Sequence, residues 1–354
     1  MRFLVAQTSF LGDVVLSTPV FTALRHQYPQ AHITALVRPE TAEILDGHPG
    51  IDAIITDDKR GRDRGLSSWR VVRRLRRGQF DTALALHKSF RTAWVLAAAG
   101  IKRRVGFRQS AGWFLYHRCV RRDPTRHDVE RNLSILAGLG LDPAAVPARP
   151  FVACGEEAVL RFHAALRFHN VDAEAPLIAV APGSAWATKR WTVEGYAALL
   201  IGVHRELDAV PVLLGGPGDV SYAEAILRTA GGIGINLVGQ TDLRMLVAAI
   251  DQCLVLVAND SAPVHIAVAR GTPVVAIFGP TVPQQGFAPY TNRARIVERQ
   301  LPCRPCGRHG STSCPIGTHA CMREISAAQV QDAVLQLLPG SIRVSAPQPA
   351  PLLH

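Results

Sequence analysis

Residues 254–281 constrain the fold of this chain more than any other stretch. An apolar run at 254–258 ends at Asn259-Asp260-Ser261, and Pro263 follows where the first turn of a helix tolerates proline. After a glycine and a proline that stop the helix, the apolar run Val274–Phe278 begins. The pattern predicts a strand, a helix and a second parallel strand. Unpaired N–H groups at the start of such a helix form an anion site.

Short apolar runs alternate with segments of helical length along most of the chain. Because parallel strands need helical crossovers, this alternation predicts an α/β protein with two Rossmann-like, doubly wound parallel sheets. Ligands of such sheets bind at the carboxyl ends of the strands, so we expect the two domains to face a central cleft. The runs that predict strands are 1–7, 33–37, 51–56, 81–86, 104–107, 177–181, 210–214, 235–238, 254–258 and 274–278.

Composition shifts place the domain boundaries. Three prolines between 143 and 150 mark a connecting stretch, and three more end the chain. We therefore predict a first domain at 1–150, a linker region at 151–175 and a second domain at 176–325. A C-terminal helix at 326–340 and a flexible tail at 341–354 complete the prediction.

Positive charge is concentrated in the first domain. The net charge is +11, and residues 1–150 hold 24 Lys and Arg against 13 Asp and Glu, whereas the remainder is balanced at 15 against 15. This asymmetry predicts an acidic partner: an anionic substrate, an anionic membrane surface or nucleic acid. The arginines at 70–77 fit either a helix on lipid headgroups or a solvated face. No run of eighteen apolar residues occurs, so we expect neither a spanning helix nor a secretory signal.

Five motifs, in order along nearly the whole chain, resemble the bacterial lipopolysaccharide heptosyltransferases (glycosyltransferase family 9), most closely those of the type II kind. That family has the GT-B architecture. It moves L-glycero-D-manno-heptose from ADP-heptose to a Kdo or heptose acceptor of the inner core, with inversion. The motifs are Ser9-Phe10-Leu11-Gly12-Asp13, Pro182-Gly183-Ser184 with Lys189, Gly215-Gly216-Pro217-Gly218-Asp219, Asn259-Asp260-Ser261 with His265, and Gly279-Pro280-Thr281.

The resemblance implies a catalytic role for Asp13. An acceptor hydroxyl becomes a good nucleophile when a carboxylate beside it takes its proton, and direct displacement then inverts the anomeric carbon. Gly12 lets the backbone turn closely before Asp13. An ordinary helix cap would also explain an aspartate here, and the two roles are compatible.

The resemblance places the ADP-sugar in the second domain. Lys189 and Ser184 would hold the donor diphosphate without a metal, and Asp260 would orient the sugar or Lys189. In this family a glycine usually follows the hydroxyl residue, whereas this chain has Ala262. Asp219 or Glu224 would accept hydrogen bonds from the ribose. The full predicted donor site is Gly12, Ser184, Lys189, Asp219, Glu224, Thr241 near adenine, Asp260, Ser261, Ala262 and His265.

The acceptor is expected in the first domain, where Lys88, Arg91 and Arg104 lie near predicted strand ends. The resemblance implies an acidic, lipid-linked core acceptor, a peripheral position at the cytoplasmic face of the inner membrane, and no required cofactor. A nucleotide-sugar epimerase of the same architecture is an alternative. Nucleic-acid binding is a weaker one, because no stacking aromatic series accompanies the basic residues.

Four cysteines define a Cys-rich loop, residues 303–321. Cys303, Cys306, Cys314 and Cys321 have a spacing compatible with a structural zinc site, with two disulfides, or with free thiols. A reducing cytoplasm disfavours the disulfides.

Overall fold

The computed structural model describes residues 1–58, 64–146 and 149–338, with the backbone alone for residues 64–67. The predicted flexible tail and residues 339–340 of the predicted C-terminal helix lie outside this part. The chain divides into two compact units. The first comprises Met1–Gly155, Val268–Arg270 and Pro283–Tyr290, and the second comprises Glu156–Ala267, Gly271–Val282 and the chain from Thr291 onward.

The first unit contains a parallel sheet of six strands in the order β3-β2-β1-β4-β5-β6. The strands are β1 (Arg2–Ala6), β2 (His32–Val37), β3 (Ala53–Thr56), β4 (Thr82–Ala85), β5 (Arg103–Phe107) and β6 (Arg118–Val120). The α-helices that connect them are α1 (Leu11–Gln27), α2 (Pro39–Ala42), α3 (Arg64–Gly78), α4 (Phe90–Ala98) and, after β6, α5 (Asp128–Leu133).

The second unit repeats this architecture, with strand order β12-β11-β10-β7-β8-β9. Its strands are β7 (Leu177–Ala181), β8 (Val210–Leu213), β9 (Ile235–Asn236), β10 (Val255–Asn259), β11 (Val274–Phe278) and β12 (Ala294–Glu298). Its helices are α6 (Glu156–Phe168), α7 (Val193–Leu207), α8 (Val220–Thr229), α9 (Leu243–Gln252), α10 (Ala262–Arg270), α11 (Ala320–Arg323) and α12 (Ala327–Leu337).

Each sheet reverses its winding direction once. In the first the reversal lies between β1 and β4, and in the second between β7 and β10. These central strands are flanked on both sides, and the residues of β7 and β10 are all buried. The predicted α/β class with two doubly wound parallel sheets is confirmed. The reversal points matter for function, because loops diverge there and leave room for a ligand at the strand ends.

Two edge strands, β6 and β12, were not predicted from the sequence. Both contain charged residues and are partly exposed, because an edge strand faces solvent on one side. They therefore lack the continuous apolar run by which the central strands were recognised.

Local interactions set the ends of two helices in the first unit. Asp13 in the first turn of α1 accepts a hydrogen bond from the Phe10 N–H (3.3 Å) and stabilises the start of the helix at Leu11. Helix α5 tightens to a 3₁₀-helix at Ser134–Leu139, which ends at Gly140, whose φ of 84° suits glycine.

A buried histidine packs in the core of the first unit. The His48 ring lies edge-on to Phe21 and Phe151, with centroids 5.9 and 5.3 Å away, and its Nδ1 accepts a hydrogen bond from Gly50 N–H at 3.0 Å. Burial lowers the pKa of His48 to about 4. The folded unit therefore holds a neutral imidazole, whereas the unfolded chain binds a proton below about pH 6.5.

We expect His48 to make the first unit acid-sensitive. Because the folded pKa is depressed, the free energy of unfolding should fall by about 3 kcal/mol as the pH drops from about 6.5 to about 4. Urea unfolding across this range measures the loss. His48→Asn keeps an acceptor for the Gly50 N–H, and its free energy of unfolding should fall by about 3 kcal/mol less over this pH range than that of the wild type. The exposed control His26→Asn should show the pH dependence of the wild type. Equal pH dependence in both variants would contradict the assignment.

Candidate active site

The loops at the reversal point of the second sheet bring together residues that are far apart in sequence. Strand β7 leads to Ser184 and the segment that carries Lys189, and β10 leads to Asp260. The neighbouring strand β11 leads to Thr281. Because parallel strands end at the same edge of a sheet, three loops converge there.

Lys189, Asp260 and Thr281 form a buried cluster, which we call the Lys-Asp-Thr cluster. The Lys189 ammonium lies 2.6 Å from Asp260 Oδ2 and 3.3 Å from the Asp260 carbonyl oxygen. Thr281 Oγ1 donates a hydrogen bond to the same Oδ2 at 2.6 Å. The side chains of Lys189 and Asp260 are only 12% and 8% exposed. An ammonium group has three N–H donors, so this one is oriented by Asp260 while retaining capacity for an anion.

Asn259 fixes the backbone around this cluster. Its side chain is fully buried, its Oδ1 accepts from the Trp191 N–H at 3.1 Å, and its Nδ2 donates to the Pro182 carbonyl at 2.7 Å. The last residue of β10 thus joins the loop after β7 to the residues that precede α7. Asn259 was not among the predicted site residues, although a polar residue that ends a buried strand could have indicated it.

The loop after β7 is held by Arg190 and Asp219. Arg190 donates to the Ser184 carbonyl from Nε and Nη2, at 3.2 and 3.0 Å, and its Nη2 also contacts Asp219 Oδ1 at 3.2 Å. Asp219 Oδ2 accepts from the Gly216 N–H at 3.3 Å. A side chain at Gly183 would overlap the Asp219 carboxylate. Asp219 therefore has a structural role in the second unit, and its ribose contact stays a prediction.

The remaining predicted donor residues of the second unit lie on or just before helices α8, α9 and α10. Ser261 precedes α10 and donates to the Asn259 carbonyl at 3.2 Å, Ala262 is the first residue of α10, and His265 is buried one turn later. Glu224 is exposed on α8, and Thr241 lies in the turn before α9.

In the first unit, Asp13 lies at the carboxyl end of β1. Its Oδ2 accepts hydrogen bonds from Ser9 Oγ at 2.6 Å and from the Phe10 N–H at 3.3 Å, so the carboxylate has a defined orientation in the first turn of α1. Gly12 precedes it in the same turn, half-buried. Ser9 was not predicted from the sequence to be the partner of Asp13.

Two of the predicted acceptor residues have partners within the first unit. Nη1 and Nη2 of Arg91 both donate to the buried Asp57 carboxylate, Nη2 at 2.8 Å. Arg104 Nε donates to the Leu115 carbonyl at 2.8 Å, and burial lowers the pKa of its guanidinium. Lys88 is half-buried beyond β4. An acceptor role for these residues stays a prediction.

The cysteines of the Cys-rich loop are free thiols. No group of three or more His, Cys, Asp or Glu suited to a metal was found among the residues that the structure describes. Backbone N–H groups, first that of His319 at 3.4 Å from Sγ, lower the pKa of Cys314. Burial raises the pKa of Cys306, and it raises that of Cys321 to about 11. Cys303, Cys306 and Cys314 also contribute to the raised pKa of Cys321, so the four thiols lie near one another, and a structural zinc site at this loop stays a prediction.

In the described ranges 1–58, 64–146 and 149–338, no helix is both long and apolar enough to cross a bilayer.

Comparisons with known proteins agree on one family. The family model described as "Glycosyltransferase family 9 (heptosyltransferase)" matches residues 68–316. The chain is similar to lipopolysaccharide heptosyltransferase 2 of Salmonella typhimurium, with 28% identity over 96% of this chain and 99% of that protein. Among solved structures, a family 9 glycosyl transferase from Veillonella parvula superposes with a TM-score of 0.85, 26% identity and coverage of 95% and 96%. The E. coli ADP-heptose lps heptosyltransferase II gives 0.78, 25%, 95% and 98%.

We expect the thiols of the Cys-rich loop to react in a set order. Only thiolates are alkylated, so at pH 7.5 iodoacetamide should label Cys314 at least about tenfold faster than Cys321. Mass spectrometry of digests taken over time gives both rates. In urea the two rates should converge, because the N–H groups and the burial are lost. Faster labelling of Cys321 in the folded protein would contradict the described surroundings.

Proposed function

This chain belongs to glycosyltransferase family 9, the heptosyltransferases, and on that premise we propose that it transfers L-glycero-D-manno-heptose from ADP-heptose to the inner core of lipopolysaccharide. The observation that carries the proposal is the Lys-Asp-Thr cluster at the reversal point of the second sheet. Relatives named lipopolysaccharide heptosyltransferase 2, and a solved structure named for ADP-heptose, support the donor and the acceptor class.

In this proposal the second domain, residues 176–325, binds the ADP-sugar. The departing diphosphate gains negative charge as the bond to the sugar breaks, and Lys189 would stabilise that charge. The Ser184 and Ser261 hydroxyls, and the N–H groups at the start of α10, would add neutral donors. Asp260 and Thr281 hold the lysine in place, so little reorganisation is needed during the reaction. With this cation supplied by the protein, transfer would need no metal cofactor.

Asp13 is the proposed general base. A carboxylate that takes the proton of the acceptor hydroxyl makes the oxygen nucleophilic, and the oxygen then attacks the anomeric carbon as ADP leaves. A single displacement of this kind inverts the configuration. The bonds from Ser9 and Phe10 support the role, because they hold the carboxylate in one orientation. The same contacts cap α1, so Asp13 would serve the fold and the reaction together.

The first domain, residues 1–150, is proposed to bind the acidic, lipid-linked acceptor at the cytoplasmic face of the inner membrane. Helix α3 supports this role: it buries Val71, Val72 and Leu75, and exposes a row of arginines. A basic helical face of this kind attracts anionic headgroups. The exposed arginines are Arg70, Arg73, Arg74, Arg76 and Arg77.

We expect Asp13→Asn to lower kcat by about 10²- to 10⁴-fold, the usual contribution of a general base. The amide oxygen can still accept the Ser9 and Phe10 hydrogen bonds, so folding and donor binding should change little. Rates are measured with ADP-heptose and a heptose-deficient core acceptor, and ADP binding by calorimetry. Ser9→Ala keeps the carboxylate and should lose less activity. A kcat within tenfold of wild type would show that Asp13 is not the base.

We expect nucleotides to stabilise the protein selectively. At a hundredfold excess over its Kd, ADP or ADP-heptose should add about 2.7 kcal/mol and raise Tm by a few degrees. UDP and GDP compounds at the same concentration are the controls, and an equal or larger shift with them would refute the proposed donor. Incubation with ADP-heptose alone tests the epimerase alternative, which requires a changed sugar without an acceptor.

A further inference from the structure

The Cys-rich loop makes hydrogen bonds to the turn that follows β11. Arg304, with a side chain only 1% exposed, donates from Nε to the Gly279 carbonyl and from Nη2 to the Thr281 carbonyl at 2.8 Å. The Cys306 N–H donates to the intervening Pro280 carbonyl at 2.9 Å. Three successive carbonyls, from Gly279 to Thr281, are therefore held by two residues of this loop.

Glu298 and the backbone hold the guanidinium in turn. Arg304 Nη2 lies 2.7 Å from Glu298 Oε2 on β12, and its Nη1 donates to the Arg299 carbonyl. A planar guanidinium presents five N–H donors in a rigid fork, so one side chain can tie the end of β11 to the end of β12. Lysine cannot reproduce this geometry.

The same loop also makes hydrogen bonds to the segment that carries Lys189. Thr188, only 4% exposed, and Ser311 exchange three hydrogen bonds: Thr188 N–H to the Ser311 carbonyl at 3.1 Å, Thr188 Oγ1 to that carbonyl at 3.0 Å, and Ser311 N–H to Thr188 Oγ1 at 2.8 Å. His319 Nε2 contacts the Thr188 carbonyl at 2.7 Å. A Cβ at Gly310 would lie 3.0 Å from Lys189 Cγ, so the backbone packs directly on the lysine stem.

Each set of contacts reaches one of the two partners of Asp260. Thr188 directly precedes Lys189, and Arg304 binds the carbonyl of Thr281 itself. Lys189 Nζ and Thr281 Oγ1 both approach Asp260 Oδ2 at 2.6 Å. A shift of either segment would therefore separate a donor from that oxygen.

We propose that the Cys-rich loop positions the donor-diphosphate site. Its positioning contacts run through Arg304, which belongs to the loop, and through Thr188, which lies outside the loop and pairs with Ser311. They do not touch the donor themselves. They set the positions of Thr281 and Lys189, so donor affinity depends on the loop, while acceptor affinity does not. This inference rests on the proposed function, because it concerns the same site.

Thr188→Val tests the inference directly. Valine keeps the shape of the side chain and removes the hydroxyl that accepts from and donates to Ser311. We expect the Kd for ADP and the KM for the donor to rise about tenfold and kcat to fall as well, because Lys189 acts on the departing diphosphate, while the acceptor KM stays unchanged. Thr188→Ser restores a hydroxyl and should return both donor constants to within threefold of wild type. Thr312→Val, an exposed position one residue beyond Ser311, is the matched control and should bind ADP like wild type.

Arg304→Lys tests the contacts between the Cys-rich loop and the turn that follows β11. It keeps a cation near Glu298 and loses the fork, so the donor constants should again rise about tenfold while the acceptor KM stays unchanged. A donor Kd within twofold of wild type in Thr188→Val would overturn the inference. So would equal losses for donor and acceptor, or equal losses in Thr188→Val and Thr312→Val, because either would indicate a merely structural role.

The nucleotide screen separates this inference from the proposed function. If another nucleoside diphosphate binds in place of ADP, the proposed donor is wrong, and the Thr188→Val comparison is made with that nucleotide. If ADP binds as proposed and Thr188→Val binds it like wild type, the donor stands and the positioning role fails.

Discussion

The second unit depends on one buried carboxylate, that of Asp260. A buried charge is costly unless a partner of opposite charge and further hydrogen bonds compensate it. Lys189 and Thr281 supply that compensation, and each comes from a different loop. The ends of β7, β10 and β11 are thereby tied to one oxygen atom. Removing the lysine would leave the charge uncompensated, so the cation proposed to bind the diphosphate also stabilises the fold.

The repeated topology explains why polar residues collect where they do. Both sheets have the same strand order, and in each the winding reverses between two central strands whose loops diverge. In the first unit this edge carries Asp13, oriented by Ser9, and in the second it carries the Lys-Asp-Thr cluster. The same backbone plan thus presents a carboxylate in one unit and a cation in the other. In the proposed function, the carboxylate would act as the base and the cation would stabilise the leaving diphosphate.

Local pattern was a good guide to central strands and a poor guide to the partners of charged side chains. The buried runs that became β7, β10 and β11 were visible because parallel strands covered on both faces are continuously apolar. The structure pairs Arg91 with Asp57 and Arg104 with carbonyls, and the acceptor role of both residues stays a prediction. Asp57 lies 34 residues before Arg91 in the chain, and no local pattern predicts that pairing.

The sequence by itself determined the α/β class, the two doubly wound sheets and the family, because strand and helix periods and five ordered motifs are local properties. Tertiary structure alone decided which side chains meet. Asp260 lies 71 residues from Lys189 and 21 from Thr281, and Ser311 lies 123 from Thr188. Spacing within the Cys-rich loop left zinc, disulfides and free thiols open, and it did not indicate that this loop hydrogen-bonds Thr188 and the Thr281 carbonyl. Those contacts depend on where the strand ends converge, which is fixed only when the sheet forms.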